Sequence, residues 1–268
     1  MPYRKCLLMG LNYIGTSFQL NGCINDMKNL QQYLISNQYF TLFEIVIMSD
    51  HQKGTLYPTK ANIKYQLNEL IKFATSISPQ HKIQLFVVYS GHGSYIKDKS
   101  TDELDHKDEV WCPLDHETNG YIVDDELRLQ FLNKLPKNVD LILLSDSCNS
   151  GTIVDLRYLY RLDANDTLII NNNLIETNCN VICISGCQDN QVSEDTYLID
   201  PTTGKYEYQG AMTAAFIANY RNGNTYNRLI TKMRIWLKKR GYRQLPELSS
   251  GRQINVNHKF LLYQLIPK

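Results

Sequence analysis

The chain lacks both a surplus of charge of one sign and a long hydrophobic run. Its 268 residues carry a formal net charge of +1 at pH 7, so charge alone gives no reason to expect a nucleic-acid or membrane partner. No apolar run approaches the roughly 18–20 residues that cross a bilayer. The N-terminus lacks the apolar length and the small-residue cleavage site of a signal peptide. We therefore expect a cytoplasmic protein that binds neither nucleic acid nor membrane.

The chain also lacks the cysteine pattern of a disulfide framework. The seven cysteines are an odd number and are scattered without a regular spacing. Together with the missing secretory signal, this pattern favours reduced thiols. Cys179, Cys183 and Cys187 recur at every fourth position, which differs from the paired short spacings of zinc knuckles. We interpret these three residues as part of a strand and its exit loop, with a zinc site as the alternative.

No internal repeat or low-complexity segment interrupts the chain, and apolar runs alternate with helical patterns. One helix is expected to begin at Asn25 or Asp26, one to follow an N-cap at Thr59, and one to include Leu229 to Leu237. Continuous apolar strands separated by helices indicate an α/β fold, with a central, mainly parallel sheet of six or more strands and helices on both faces. The predicted strands are Lys5–Leu11, Glu44–Met48, Ile83–Tyr89, Asp140–Ser145, Val181–Ser185 and Lys259–Tyr263.

Two of the predicted strands end in glycine-flanked sequences, YSGHG (89–93) and DSCNSG (146–151). They deliver His92 and Cys148 to the same edge of the sheet, where ligands of such sheets bind. A free cysteine is only about 3% thiolate at pH 7, and a neighbouring imidazole raises that fraction and can protonate a leaving amine. The backbone N–H groups of Gly93 and Cys148 are candidate oxyanion donors. The two sequences therefore predict a nucleophile and its general acid–base.

Each of these two residues has a simpler interpretation when taken alone. A cysteine after an apolar run is most often an inert core thiol, and a loop histidine is most often solvated. Their joint placement at two strand ends favours catalysis instead. A phosphatase-type thiolate loop would carry an arginine six residues after the cysteine, and that position is Val154.

The residues around the pair resemble those of the metacaspases, the caspase-like cysteine proteases of plants, fungi, protists and bacteria. His92 precedes Cys148 by 56 positions, and the sequence NGYIVDDEL lies between them. The animal-caspase signature QACxG is absent. Further segments match metacaspase segments in the same order along nearly the whole chain: LxGCIND (20–26), PTKANI (58–63), DEVWCPLD (108–115), SGCQDNQVSED (185–195), GAMTAAF (210–216) and LPELSSGR (245–252).

The resemblance implies a caspase-like sandwich formed by a single catalytic domain over residues 1–268, with a p20-like part at about 1–160 and a p10-like part at about 178–268. It also implies a monomer. The chain departs from the family at Asn149, where a histidine is usual. Because no Pro/Gln-rich prodomain or zinc finger stands ahead of Lys5 in this sequence, the resemblance is to a type I catalytic core without its extension or to a prodomain-less form. Because Asn149 is not the general base, we expect activity to survive. Family members often cut themselves after a basic residue, and the loop candidates here are Lys97, Lys99, Lys107, Arg157 and Arg161.

Two acidic residues near the predicted nucleophile indicate a preference for basic substrates. Asp146 lies two residues before Cys148, so on a strand the two side chains share a face. Asp26 starts a helix at the same edge, and two carboxylates there would pair with a guanidinium through charge-assisted hydrogen bonds. By resemblance, Cys23, Asp26, Ser90 and Asp146 line the S1 pocket that receives Arg or Lys. The alternatives are a helix N-cap for Asp26 and simple packing for Cys23.

A second acidic region is the segment TDELDHKDEVW (101–111), which by itself is most often a solvated loop. The glycine and the spaced acids of an EF-hand are missing. Carboxylates gathered from separate loops would repel one another unless a hard cation neutralised them. The resemblance assigns calcium to Asp108, Asp124, Asp125 and Asp155, as an activator that orders loops around the cleft. Asp124 has an alternative role as the N-cap of a helix that begins near Glu126.

These patterns together predict a calcium-activated cysteine endopeptidase that cleaves protein or peptide substrates after Arg or Lys. The alternative function is a catalytically silent caspase-like scaffold that binds partners. Such scaffolds usually lose the dyad or the pocket acids, and here His92, Cys148, Asp26 and Asp146 are all present.

Overall fold

The structure is a computed structural model, and it describes most of the chain. Of the residues singled out by the sequence, Cys148, Asn149, Cys187 and Lys99 lie outside the described part. The described residues are 2–97, 107–147, 154–162, 167–186, 195–199, 206–242, 244–260 and 262–264.

A sheet of eight strands forms the centre of the molecule. The strands that come first in sheet order pair in parallel, and the remaining ones join in antiparallel fashion. The predicted α/β class with a mainly parallel core is therefore confirmed, and an antiparallel extension is added to it. In sheet order the strands are β2 (Ile45–Ser49), β1 (Tyr3–Gly10), β3 (Ile83–Ser90), β7 (Val139–Asp146), β10 (Asn180–Ser185), β13 (Glu247–Ser250), β8 (Tyr158–Arg161) and β9 (Thr167–Ile170).

The central strands are apolar throughout because helices cover both faces of the sheet. Every residue of β3 and of β7 is buried. Successive side chains of a strand point to opposite faces, so Cys6 and Leu8 of β1 join one core layer while Leu7 and Met9 join the other.

The helices divide between these two core layers. The first layer contains α1 (Cys23–Ser36), α5 (Ala211–Asn219) and α6 (Tyr226–Lys239), and the second contains α2 (Lys60–Ser76) and α4 (Asp124–Gln130). A short helix, α3, covers His116–Asn119. Among the described residues, no helix is long and apolar enough to cross a membrane.

Two smaller sheets stand next to the carboxyl ends of the central strands. One is antiparallel and consists of β4 (Gly93–Lys97), β5 (Lys107–Trp111) and β6 (Ile122–Val123). The other is a hairpin of β11 (Asp195–Ile199) and β12 (Tyr206–Gly210), which leads directly into α5. The first sheet begins directly after His92 and the second ends at Gly210, so both border the candidate site.

The helix starts test three capping predictions. Thr59 is the N-cap of α2, since its hydroxyl oxygen accepts the N–H of Asn62 at 3.2 Å. Asp26 is not an N-cap, because α1 begins at Cys23 and places Asp26 in its first turn. The N-cap alternative for Asp124 is also wrong, because Asp124 is itself the first residue of α4.

The prediction of a last strand at Lys259–Tyr263 is wrong for the residues of this segment that the structure describes. Lys259 makes a single isolated bridge to Thr225, and no ladder continues from it. The apolar character of the segment is explained by packing, since Phe260 is buried in the core with its ring 5.3 Å from that of Tyr220. The strand that pairs with β10 instead is β13, whose sequence ELSS has little apolar character.

Candidate active site

The predicted catalytic loops leave the sheet side by side. β3 and β7 are parallel neighbours, and their last residues, Ser90 and Asp146, are register partners. The N–H of Gly91 donates to the carbonyl oxygen of Asp146 at 3.3 Å, which ties the two loops together where they begin. His92 follows directly on the first loop.

The second loop is described as far as Ser147, which is buried. Its hydroxyl lies 3.1 Å from the Ser145 hydroxyl, which accepts the indole N–H of Trp111 at 3.2 Å. Cys148 is the next residue and lies outside the described part of the chain. The structure thus places His92 and the residue before Cys148 at one edge of the sheet.

The imidazole of His92 is held by a loop that the sequence reasoning did not single out. Its Nε2 atom lies 2.7 Å from the carbonyl oxygen of Phe18. Because a carbonyl oxygen only accepts hydrogen bonds, Nε2 carries the proton and Nδ1 is the basic nitrogen. The ring packs against Tyr13, with ring centroids 4.7 Å apart. Gly93, the predicted oxyanion donor, begins β4 and is the register partner of Trp111.

Asp26 and Asp146 meet at the start of α5. Both carboxylates are buried, at 1% exposure each. Asp26 accepts hydrogen bonds from the Ser90 hydroxyl at 2.7 Å and from the Gly210 N–H at 2.8 Å. Asp146 accepts the N–H of Thr213 at 2.8 Å. Three of the four residues predicted for S1 are therefore brought together by contacts.

Cys23, the fourth predicted S1 residue, is buried at the first position of α1. It stands three residues before Asp26, and this spacing puts both side chains on the same face of the helix. Cys23 therefore lies on the face of α1 that carries Asp26.

Gly210 was not singled out from the sequence, although it opens the matched segment GAMTAAF. A Cβ atom at this position would lie 2.4 Å from Oδ2 of Asp146 and 2.6 Å from Oδ2 of Asp26, closer than real Cβ contacts. Its φ of −68° is open to any residue, so the glycine is required by space. Because Gly210 and Thr213 stand at the N-terminus of α5, both acids accept main-chain N–H groups at the positive end of the helix dipole.

A second group of buried carboxylates involves Glu109, Asp124 and Asp155. Each offers one oxygen, and these oxygens all lie within 4.8 Å of one another. Asp124 also accepts the backbone N–H of Glu109 and, at 2.7 Å, that of Asp125. Asp155 has a left-handed φ of 44°, and its carbonyl oxygen accepts from the guanidinium of Arg128.

This group contains only part of the predicted calcium set. It includes Asp124 and Asp155, adds Glu109, and does not include Asp108 or Asp125. Asp108 and Glu109 are neighbours on β5, so their side chains point to opposite faces of the strand. Strand alternation, which can be read from the sequence, predicts that Asp108 and Glu109 point to opposite faces. Which of the two faces Asp124 depends on how β5 packs in the folded protein.

Comparisons with known proteins agree with this architecture. The family model described as "Metacaspase, peptidase C14 domain" matches residues 4–157. Metacaspase-1 of Ajellomyces capsulatus is 33% identical over 307 residues, which cover 97% of this chain and 82% of that protein. Metacaspase-1 of Eremothecium gossypii is 32% identical over 309 residues, and the chain spans 66% of that relative's length.

Two solved structures share the fold. Protein GSU0716 from Geobacter sulfurreducens has a TM-score of 0.64 at 23% identity, covering 99% of this chain and 100% of that one. The structure of pro-sf-caspase-1 has a TM-score of 0.50 at 11% identity, covering 92% and 91%. These likenesses show a caspase-like fold, and the sequence matches show more: the chain belongs to the metacaspase family of cysteine-type peptidases.

Proposed function

We propose that this protein is a calcium-activated cysteine endopeptidase that cleaves after Arg or Lys, with Cys148 as the nucleophile and His92 as the general acid–base. One observation carries the proposal: the buried carboxylates of Asp26 and Asp146 flank Gly210 at the edge where the loops of His92 and Cys148 begin.

The carboxylate pair supports a basic P1 residue. A guanidinium or ammonium group would be held by charge-assisted hydrogen bonds to these two acids, which already accept main-chain N–H groups at the N-terminus of α5. An aspartate at P1 would meet like charge, which costs several kcal/mol at a desolvated site. The expected substrates are therefore proteins or peptides with Arg or Lys at P1.

The chemistry requires one proton transfer in each half of the reaction. The Cys148 thiolate attacks the P1 carbonyl carbon, and the backbone N–H groups of Gly93 and Cys148 stabilise the oxyanion. His92 protonates the leaving amine as the C–N bond breaks, which leaves a thioester on Cys148. Water then attacks the thioester and gives its proton to His92, and the acid product and the thiolate are released.

The contact between His92 and Phe18 supports this assignment of roles. Because the Nε2 proton is held by the Phe18 carbonyl oxygen, Nδ1 is the nitrogen left to exchange a proton with the thiol and the leaving group. The same contact keeps the ring in one orientation and one tautomer through both steps.

Glu109, Asp124 and Asp155 would hold the calcium ion. Their oxygens are hard donors of the kind that calcium prefers, and they converge within 4.8 Å in a buried position. Three buried like charges are costly unless a cation neutralises them. Bound calcium would supply that positive charge and draw together β5, the start of α4 and the segment that carries Asp155. A contribution from Asp108 and Asp125 stays a prediction from the resemblance.

The sheet supports a monomer. Among the described residues, the two edge strands of the central sheet are β2 and β9, with five and four residues. Short edge strands offer little length for pairing with a second copy. A cytoplasmic location is supported by Cys6, Cys179 and Cys183, which are buried free thiols.

For self-cleavage we propose the segment between Lys97 and Lys107. These two residues are register partners at the open end of the β4–β5 pair. Arg161 belongs to β8 inside the central sheet, and Arg157 donates to the carbonyl oxygen of Leu174. Cleavage after either arginine would require backbone pairs of the central sheet to separate, whereas Lys97 and Lys107 form the terminal pair of β4 and β5.

The test is release of a fluorophore from an Arg-P1 peptide, with calcium or with a chelator. Lys-P1 and Asp-P1 peptides and the Cys148→Ala variant serve as controls. We expect calcium-dependent cleavage of the Arg and Lys peptides, none of the Asp peptide, and none by the variant. Intact folded protein that cleaves no Arg or Lys peptide at any calcium concentration would contradict the proposal and favour the scaffold alternative.

A further inference from the structure

Two buried tyrosine hydroxyls lie beneath the His92 loop. Tyr13 follows β1, Tyr89 lies near the end of β3, and their oxygens are 3.2 Å apart. Both residues are almost fully buried, at 1% and 0% exposure. Burial raises the pKa of both phenols well above the usual range of tyrosine, so they remain neutral hydrogen-bonding groups at any pH of assay.

These hydroxyls bind the backbone N–H and the backbone carbonyl oxygen of His92. The His92 N–H donates to the Tyr13 oxygen at 3.0 Å, and the Tyr89 hydroxyl donates to the His92 carbonyl oxygen at 2.8 Å. Tyr13 in turn donates to the Cys112 carbonyl oxygen at 2.6 Å, and the Cys112 N–H donates to Tyr89 at 3.1 Å. The Tyr89 hydroxyl also lies 3.2 Å from the Cys112 carbonyl oxygen, and the Cys112 N–H also donates to the His92 carbonyl oxygen at 3.2 Å. These contacts form a network that joins the segments after β1, β3 and β5.

Tyr13 also organises the loop that contacts the imidazole. Its φ of 52° lies in the left-handed region, which is unfavourable for a residue with a side chain and persists only where the surroundings enforce it. The turn that follows is closed by Thr16, whose N–H and hydroxyl both donate to the Tyr13 carbonyl oxygen, at 3.1 and 2.7 Å. Phe18 follows two residues after Thr16, and its carbonyl oxygen lies 2.7 Å from Nε2 of His92.

The loop is further fixed on its outer side. The carboxylate of Asp50 accepts the N–H of Asn12 at 2.7 Å and the N–H of Ile14 at 3.0 Å. The residues on either side of Tyr13 are thus bound to the end of β2. Tyr13 connects this fixed loop to the main chain of His92.

We propose that Tyr13 is a positioning residue for the reaction, which holds the main chain of His92 through its hydroxyl and the imidazole through the loop that carries Phe18. The inference rests on the proposed roles of His92 and Cys148. Tyr13 touches neither the substrate nor the thiol in this scheme. Its effect is therefore on how well His92 is aimed, and so on the thiolate fraction of Cys148 and on kcat.

A purely structural role for the hydroxyl is the competing explanation, and the chain offers a matched control. Tyr33 is also buried, and its hydroxyl donates to a backbone carbonyl oxygen, that of Tyr220, at 2.7 Å. It belongs to the other core layer, away from His92. Both substitutions remove a buried hydroxyl that donates to a backbone carbonyl oxygen, and only Tyr13→Phe also removes the contact with the His92 N–H. The difference between the two variants therefore reports the effect on the site.

The experiment compares Tyr13→Phe, Tyr89→Phe and Tyr33→Phe with the wild-type chain. The measurements are Tm, kcat and KM on an Arg-P1 peptide in calcium, and the pH dependence of Cys148 alkylation by iodoacetamide, followed by peptide mass mapping with Cys148→Ala as the blank. We expect Tyr13→Phe to lower kcat about 10- to 100-fold with KM changed less than about 2-fold, and to shift alkylation of Cys148 to higher pH. Tyr33→Phe should lower Tm by a similar amount and change neither kcat nor the alkylation profile.

The outcomes separate this inference from the proposed function. If wild-type protein cleaves the Arg peptide but Tyr13→Phe and Tyr33→Phe have equal kcat and equal alkylation profiles, the positioning role is overturned and the proposed function stands. If folded wild-type protein cleaves no Arg-P1 peptide in calcium, both are overturned. Should Tyr13→Phe fail to fold, Tyr89→Phe decides, because it removes the bond to the His92 carbonyl oxygen and must show the same loss of kcat.

Discussion

Two groups of buried carboxylates differ in how the fold holds them. Asp26 and Asp146 flank Gly210 and receive hydrogen bonds from Ser90 and from the N-terminus of α5. In the second group, Glu109, Asp124 and Asp155, three acids converge with their oxygens within 4.8 Å. Both groups accept main-chain N–H groups, as Asp124 does from Glu109 and Asp125, so the difference lies in number and spacing. Two acids that flank a glycine suit recognition of a substrate cation that comes and goes. The second group concentrates charge in the way that a resident divalent cation requires.

The largest effect is expected from Asp146→Asn. Loss of one member of a buried pair that binds a substrate cation costs about 2–5 kcal/mol or more, so kcat/KM for an Arg-P1 peptide should fall at least about 30-fold. The matched control is Asp140→Asn at the other end of β7. Asp140 is also buried, and it accepts from Asn180 at 2.7 Å and from Tyr263 at 3.1 Å, far from the site. Equal activity of the two variants would remove Asp146 from the pocket.

A slightly smaller loss is expected from Gly210→Ala. The new Cβ would stand 2.4 and 2.6 Å from the two carboxylates and must push them away from the donors on α5. We expect kcat/KM for Arg-P1 peptides to fall about 10-fold or more, with calcium activation unchanged. Gly186→Ala is the graded control, because its Cβ would lie 3.2 Å from the sulfur of Met212 and 3.5 Å from Oδ1 of Asp146, which is an ordinary contact distance. A Gly210→Ala variant as active as Gly186→Ala would show that the pair does not need this close approach.

The cation group is tested by calcium titration of Glu109→Gln against Asp108→Asn. Because Glu109 converges with Asp124 and Asp155, Glu109→Gln should raise the calcium concentration for half-maximal activity about 10-fold. Asp108→Asn, whose side chain lies on the other face of β5, should change it less. The reverse order of effects would show that the resemblance, and not this arrangement of β5, identifies the ligand.

The smallest expected effect is a change in Tm, and its sign should differ between the two groups of carboxylates. In a chelator, Asp155→Asn should raise Tm by a few degrees, since it relieves repulsion among three buried carboxylates. Asp26→Asn should lower Tm by a similar amount, because its carboxylate accepts hydrogen bonds that favour the charged form. Differential scanning calorimetry of both variants without calcium measures this. Shifts of the same sign would end the distinction between the groups.

The parallel part of the sheet was accessible from the sequence because its strands are buried on both faces and therefore apolar throughout. The predicted strand at Ile83–Tyr89 differs by one residue from β3, and Asp140–Ser145 lies within β7. The antiparallel part of the sheet could not be predicted from the sequence. β13 has the sequence ELSS, while the apolar segment around Phe260 packs into the core outside the sheet. Apolar character reports burial, and burial alone does not distinguish a strand from a packed loop.

The candidate site also has residues that the sequence predicts and residues that it does not. The strand-end motifs of His92 and Cys148 and the acids Asp26 and Asp146 could be named from residue type and position alone, because parallel neighbours end at one edge. Gly210, Phe18 and Tyr13 could not, because their importance depends on contacts between segments far apart in the chain. For Gly210 the contact is with an acid 184 residues away, which the N–H of Gly210 meets only after folding.

The sequence by itself determined the α/β class, the pair of strand ends that carry the candidate dyad, and the acidic character of its surroundings. These follow from local patterns of burial and from residue chemistry. Only the tertiary structure decided that Glu109 and not Asp108 faces Asp124, that α5 begins where Asp26 and Asp146 meet, and that Tyr13 lies under His92. Such choices are made by how whole elements pack against one another, and no local pattern in the chain records the outcome.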